Sequence, residues 1–189
     1  MAMHFFLHGG RTWIDSEKNK KFFETLCAYG NKILIFPFWW ESEDYDFNKY
    51  KKAFLTHNSN KTLSITCADH NITKLIQQIT DNEIIFLGWW SVSKHLEILN
   101  KISNLGALLQ NKIIAGVSAW AIVRGRAYYS SIKDSLGDGI GLLPIKIMAH
   151  YWDHNPGLSN KERSRLLDEY GEQLPIIKIP EQEYREFKL

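Results

Sequence analysis

Lys112-Ile113-Ile114-Ala115-Gly116-Val117-Ser118-Ala119-Trp120 carries an apolar run into a serine flanked by small residues. The run reads as a buried strand that ends at a sharp turn and passes at once into a helix. A nucleophile elbow is built this way: the strained turn lifts the serine hydroxyl above the sheet edge, and the following backbone N–H faces a developing oxyanion. Strand and helix backbones approach closely in such a turn, so small residues are needed on both sides of the serine. Gly116 meets that need, whereas Trp120 stands where a Gly-x-Ser-x-Gly pattern has its second glycine. A buried strand closed by a serine helix cap accounts for the same residues.

Working outward from Ser118, apolar strands and amphipathic helices alternate. The opening segment to His8 is a first strand, turned by Gly9-Gly10. Asp15 or Ser16 caps a helix carrying Phe22, Phe23, Leu26 and Cys27 at helical spacing, stopped near Gly30. Ile33 to Phe36 is a second strand, and the acidic aromatic loop Phe38-Trp39-Trp40-Glu41-Ser42-Glu43-Asp44-Tyr45 leads to a helix over 47–57. Leu63 to Cys67 is a third strand, Asn71 caps a helix through Leu75, Ile76 and Ile79, Glu83 to Leu87 is the fourth strand, and 92–102 is helical. Near-continuous apolar strands alternating with helices predict an α/β three-layer sandwich with a largely parallel central sheet. Past Ser118 the rhythm changes. Arg126 to Ser130 and Ile145 to Met148 read as an antiparallel extension, Gly137-Asp138-Gly139-Ile140-Gly141 as a flexible turn and not a phosphate loop, and Ser159 or Asn160 caps a last helix before the strand Ile176 to Ile179 and a polar tail.

With 189 residues and 44% apolar content, the chain has enough material for one domain with its own core, residues 1–189. The formal charge of +2, with acids and bases interspersed, excludes an evident nucleic-acid surface. Cys27 and Cys67 lack metal-ligand spacing, and the opening residues have neither the basic region nor the apolar length of an export signal or a membrane span. The expectation is a cytoplasmic protein with reduced thiols.

In open parallel sheets a ligand sits beyond the carboxyl ends of the strands, which brings Gly88-Trp89-Trp90-Ser91 and Ser118-Ala119-Trp120 to one crevice. The division of labour that follows has Ser118 as nucleophile, with the N–H of Ala119 and one from the Gly88-Trp89 turn as oxyanion donors. His150, just after a strand-like run, is the candidate base. Asp134 is the candidate acid that orients the imidazole, with Asp138 in reserve. The other chemistry open to this segment is metal binding by His150 and His154, four apart, but Asn155-Pro156-Gly157 argues against the helix it needs. No metal and no cofactor is expected. His4, His8, His57, His70 and His95 read as surface or packing residues.

Several segments match a known pattern in order and spacing. Ile84-Ile85-Phe86-Leu87-Gly88 stands at an apolar strand followed by a glycine run, Gly116-Val117-Ser118-Ala119 at a nucleophile, Gly139-Ile140-Gly141-Leu142-Leu143-Pro144 at a Leu-Gly-Leu-Leu segment, and Ala149-His150-Tyr151 at Pro-His-Phe or Pro-His-Tyr. Ile35-Phe36-Pro37-Phe38 adds an Ile-Pro-like segment after the second strand. On these residues the chain resembles the aspartyl dipeptidase (peptidase E) and cyanophycinase family of serine peptidases. The resemblance spans most of the chain and implies a class I glutamine amidotransferase-like fold. It also implies a hydrolase using Ser118, His150 and an acidic residue to cut peptide bonds next to aspartyl residues in small peptide or amide substrates. The departures are Trp89 and Trp90 in the glycine run, Ser91-Val92 in place of Asn-Thr, and Trp120 two places beyond the serine. Glycine there lets backbone approach substrate, which tryptophan does not. A catalytically degenerate binding or regulatory protein, with Trp89, Trp90 and Trp120 filling or reshaping the pocket, is therefore the alternative. Phe38-Trp39-Trp40 offers a contact for a homo-oligomer.

Overall fold

Strands and helices alternate along the chain as β1 (His4–His8), α1 (Glu17–Tyr29), β2 (Lys32–Phe36), α2 (Glu43–Thr56), β3 (Ser64–Cys67), α3 (Ile72–Asp81), β4 (Ile84–Leu87), α4 (Val92–Asn100), α5 (Leu105–Leu108), β5 (Ile113–Val117) and α6 (Ala119–Ile122). They continue as β6 (Ala127–Ser130), β7 (Ser135–Asp138), β8 (Lys146–Ala149), α7 (Asn160–Glu169), β9 (Ile176–Ile179) and β10 (Tyr184–Lys188). The computed structural model describes residues 3–37, 43–58, 62–88, 92–131, 133–151 and 158–189, with the backbone alone at 43–45 and 92–95.

The first sheet has six strands in the order β10-β1-β5-β4-β2-β3, parallel except for the edge strand β10, which runs antiparallel to β1. Its strands are apolar on both faces because both are covered. Leu34, Phe36, Ile85, Leu87 and Ile114 point into a core shared with α3 to α6, while Ile33, Ile35, Ile84, Phe86, Ala115 and Val117 point to Phe22, Phe23, Leu26 and Phe54 of α1 and α2. This gives the three layers that the alternation predicts. Helix starts follow local chemistry: Ser16 accepts from the Asn19 N–H, Asn71 from those of Thr73 and Lys74, and Ser159 forms a capping box with Glu162.

The second sheet, β7-β6-β8-β9, corrects the expected antiparallel extension: β6 pairs parallel with β8 and β8 with β9, and only β7 is antiparallel. The reason is the return path after β7. The N–H groups of Gly139, Ile140, Gly141 and Leu143 donate to the carbonyls of Arg126, Val123, Gly125 and Arg124, which lays this segment back along the approach to β6. The chain therefore re-enters at the amino end of β6 and runs beside it. The expected flexible turn begins as strand, since its first two residues, Gly137 and Asp138, belong to β7. Two further expectations shift: the helix expected over 92–102 ends at Asn100, with a separate short α5 following at Leu105, and the polar tail supplies β10. The expected aromatic contact loop at Phe38-Trp39-Trp40 lies outside the described residues.

Candidate active site

Ser118 leaves the carboxyl end of β5, between β1 and β4, and its backbone takes φ 55° and ψ −111° before α6 begins at Ala119. Two bonds hold this turn: the Ser118 N–H donates to the His8 carbonyl at 2.9 Å, and its own carbonyl accepts from Ile122 N–H at 3.2 Å. Gly116 is required by the crossing that follows. A β-carbon there would stand 2.9 Å from the carbonyl carbon and oxygen of Trp120, inside contact distance of backbone that cannot swing away.

His150 leaves the carboxyl end of β8, also at positive φ (55°), and its N–H donates to the Gly9 carbonyl at 3.2 Å. That placement brings its Nε2 to 2.5 Å from Ser118 Oγ. The other ring nitrogen, Nδ1, lies 2.8 Å from Glu181 Oε1. A carboxylate accepts only, so Nδ1 carries the hydrogen of this bond and the Nε2 lone pair faces the serine hydroxyl. The second Glu181 oxygen pairs with Arg11 Nε at 2.5 Å, and the His150 and Glu181 side chains are 12% and 13% exposed, so the contacts are shielded from water. Gly10, at φ 130°, lies flat against the His150 ring, where any β-carbon would overlap Cε1. His8, fully buried, supports the same loop: its Nδ1 accepts from the Gly10 N–H at 3.1 Å and its Nε2 bonds Asn19 Oδ1 at 3.0 Å. Burial pushes the His8 imidazole down to about 4, against which the Asn19 bond works, and the neighbouring His150 adds to the lowering.

Three sequence expectations are corrected by this geometry. Asp134 does not reach His150; its carboxylate accepts from the Tyr129 hydroxyl at 2.7 Å and lies 3.4 Å from Arg163, because the β6–β7 hairpin points it at α7. Asp138, the reserve, ends β7 on that same hairpin and bonds Tyr170. Trp120 is 1% exposed, with its ring edge-on to Phe36 at 6.2 Å, so it fills the core beneath the Ser118 turn and offers no surface to a substrate. Gly88 donates its N–H to the Phe36 carbonyl at 3.3 Å and so has no donor to spare for an oxyanion. Trp89, Trp90 and His154 lie outside the described residues. Ala119 and Trp120 open α6, where N–H groups have no intrahelical acceptor. Of the histidines expected at surface or packing positions, His8 is a buried neighbour of the site and His4 is buried against Glu186 at 2.6 Å.

The residue that sequence reasoning missed is Glu181. It follows β9 in Pro180-Glu181-Gln182, and a carboxylate just beyond the carboxyl end of a parallel strand was the signal that could have found it. Among the described residues no cluster of His, Cys, Asp and Glu is placed to hold a metal ion, and no helix is long and apolar enough to cross a membrane.

No family model and no curated protein matches the chain. Among solved structures it is similar to a candidate peptidase E protein from Listeria monocytogenes EGD-e, at 15% identity and a TM-score of 0.64, with all of both chains covered. At that identity the likeness is one of architecture: the chain has a peptidase E-like α/β fold with a largely parallel central sheet.

Proposed function

We propose that the protein is a serine-type hydrolase of peptide or amide bonds in small substrates, with Ser118 as nucleophile, His150 as general base and acid, and Glu181 as the residue that orients the imidazole. The observation that carries this is the continuous chain from Ser118 Oγ to His150 Nε2 (2.5 Å) and from His150 Nδ1 to Glu181 (2.8 Å). The turn at Ser118 is then a nucleophile elbow.

In this reading Ser118 Oγ attacks the substrate carbonyl carbon while its proton passes to His150 Nε2. The imidazolium so formed is stabilised by the Glu181 carboxylate, which Arg11 also holds. The tetrahedral oxyanion takes the Ala119 N–H at the head of α6. His150 returns its proton to the departing amine, the C–N bond breaks, and an ester to Ser118 remains. Water, deprotonated by His150, then releases the acid and restores the serine.

The architectural neighbour supports a peptidase more than any other hydrolase, and aspartyl dipeptides are the first substrates to try. Burial of the Trp120 ring removes one motive for the degenerate alternative. The test compares hydrolysis of an aspartyl dipeptide and amide panel by the wild type, Ser118→Ala, Glu181→Gln and Asp134→Asn. Expected are loss of turnover in Ser118→Ala, a fall of roughly 10²–10⁴-fold in kcat for Glu181→Gln, and near wild-type rates for Asp134→Asn. Equal turnover by wild type and Ser118→Ala would overturn the reading.

A further inference from the structure

A second cleft, of about 290 Å³, opens at the opposite end of β8 from His150. It lies at the amino ends of β6 and β8, where Ala127 pairs with Lys146, and is closed by the Tyr170–Leu174 connection into β9. Its size is just below the roughly 300–1,000 Å³ of small-molecule sites. The four residues of β8 separate it from the imidazole by about 13 Å at the usual strand rise.

The lining is charged with both signs. Lys146 is 1% exposed, and its ammonium donates to the Leu167 and Asp168 carbonyls at 2.8 Å each, which leaves one N–H of three. Among the described residues no carboxylate pairs with Lys146 or with Arg126, which stands beside it on the cleft wall. The Leu167 and Asp168 carbonyls belong to the last turn of α7, whose negative end offsets the Lys146 charge, so the exposed Arg126 is the cation that the cleft offers. Facing these cations are Asp138, held by the Tyr170 hydroxyl, and Glu172. Ile140 and Leu174 supply apolar surface between them.

This pattern selects among ligands. A bare anion would meet Asp138 and Glu172, and a bare amine would meet Arg126. A phosphate would need the free amides that the glycine run suggests on paper, but the Gly139 and Gly141 N–H groups are committed to the Arg126 and Gly125 carbonyls. A zwitterion satisfies both signs at once. We infer that the cleft binds a small apolar α-amino acid, its carboxylate on Arg126, its ammonium on Asp138, and its side chain against Ile140 and Leu174. The inference does not depend on hydrolysis at Ser118.

Calorimetric titration of the full chain with L-leucine, 3-methylbutylamine and N-acetyl-L-leucine tests it. Leucine should bind with one-to-one stoichiometry, and the two analogues, each lacking one charge, should bind at least roughly tenfold more weakly. Arg126→Gln and Asp138→Asn, both at exposed side chains, should each weaken leucine binding by a similar factor, and Ser118→Ala should leave it unchanged. No leucine binding up to about 10 mM, equal binding of the three compounds, tighter binding of inorganic phosphate, indifference to both cleft substitutions, or loss of binding in Ser118→Ala would each overturn it. The comparison of analogues on the wild type stands even if a variant fails to fold.

Discussion

Ser118 is held at φ 55°, ψ −111°, a conformation that a β-carbon resists, and Arg11, His150 and Gln182 around it also have positive φ. Such residues cost about 1–3 kcal/mol each and persist only where surrounding structure enforces them. At Ser118 the enforcement is the His8 carbonyl on one side and the first turn of α6 on the other. Removing the β-carbon relieves the strain, offset in part by about 0.5–1 kcal/mol of added backbone freedom in the unfolded chain. Ser118→Gly should therefore be inactive yet more stable than the equally inactive Ser118→Ala by about 1 kcal/mol, a melting temperature higher by about 2–4 °C. Differential scanning calorimetry of the two variants checks this, and a lower melting temperature for the glycine variant would mean that the turn is not strained.

Among elements, the contact between β5 and α6 sets the position of the hydroxyl. Gly116→Ala puts a methyl group against the Trp120 backbone and must push α6 outward. An overpacking of this kind destabilises by about 1–3 kcal/mol. The expected result is a drop in kcat greater than any change in KM, because Ser118 is displaced from His150; urea unfolding and steady-state kinetics measure the two effects. Unaltered kcat would show that α6 does not position the nucleophile. The same contact explains what was legible in the chain. Gly116-Val117-Ser118 and the period of the first five strands are local patterns, and they carried the three layers and the serine. His150 was a candidate because a strand-like run precedes it. Glu181 was not, since its role depends on β9 lying beside β8, a non-local pairing that no window of sequence contains. The parallel course of β6 and β8 was lost for a similar reason, as it rests on the return path of 139–143. Trp120 misled because a tryptophan replacing a glycine suggests a blocked pocket, whereas the helix turns its ring into the core.

Across the whole molecule, the site joins the two sheets: Ser118 ends a strand of the first, His150 a strand of the second, and Glu181 lies on the crossover from β9 to β10. Buried His8 sits beneath this junction, its folded pKa of about 4 well below the ordinary 6.5. As pH falls from about 6.5, the unfolded chain takes up this proton before the folded one does. The stability that neutral His8 contributes is complete above about 6.5 and is lost by about 4, amounting to about 3 kcal/mol. In His8→Gln the decline in unfolding free energy between those pH values should be shallower by about that amount, whatever the variant's stability at neutral pH. Urea titrations across the range measure it; parallel declines in the two proteins would mean that His8 titrates alike folded and unfolded.

The central claim is that Ser118 is activated as a nucleophile by an imidazole that Glu181 orients. Incubation with an active-site fluorophosphonate, followed by peptide mapping in a mass spectrometer, reads this directly without knowledge of the natural substrate. The account predicts a single phosphonyl adduct on Ser118 in the wild type, formed far more slowly in Glu181→Gln and absent in His150→Ala. An unlabelled Ser118 in the wild type, or labelling at the same rate in all three proteins, would contradict it.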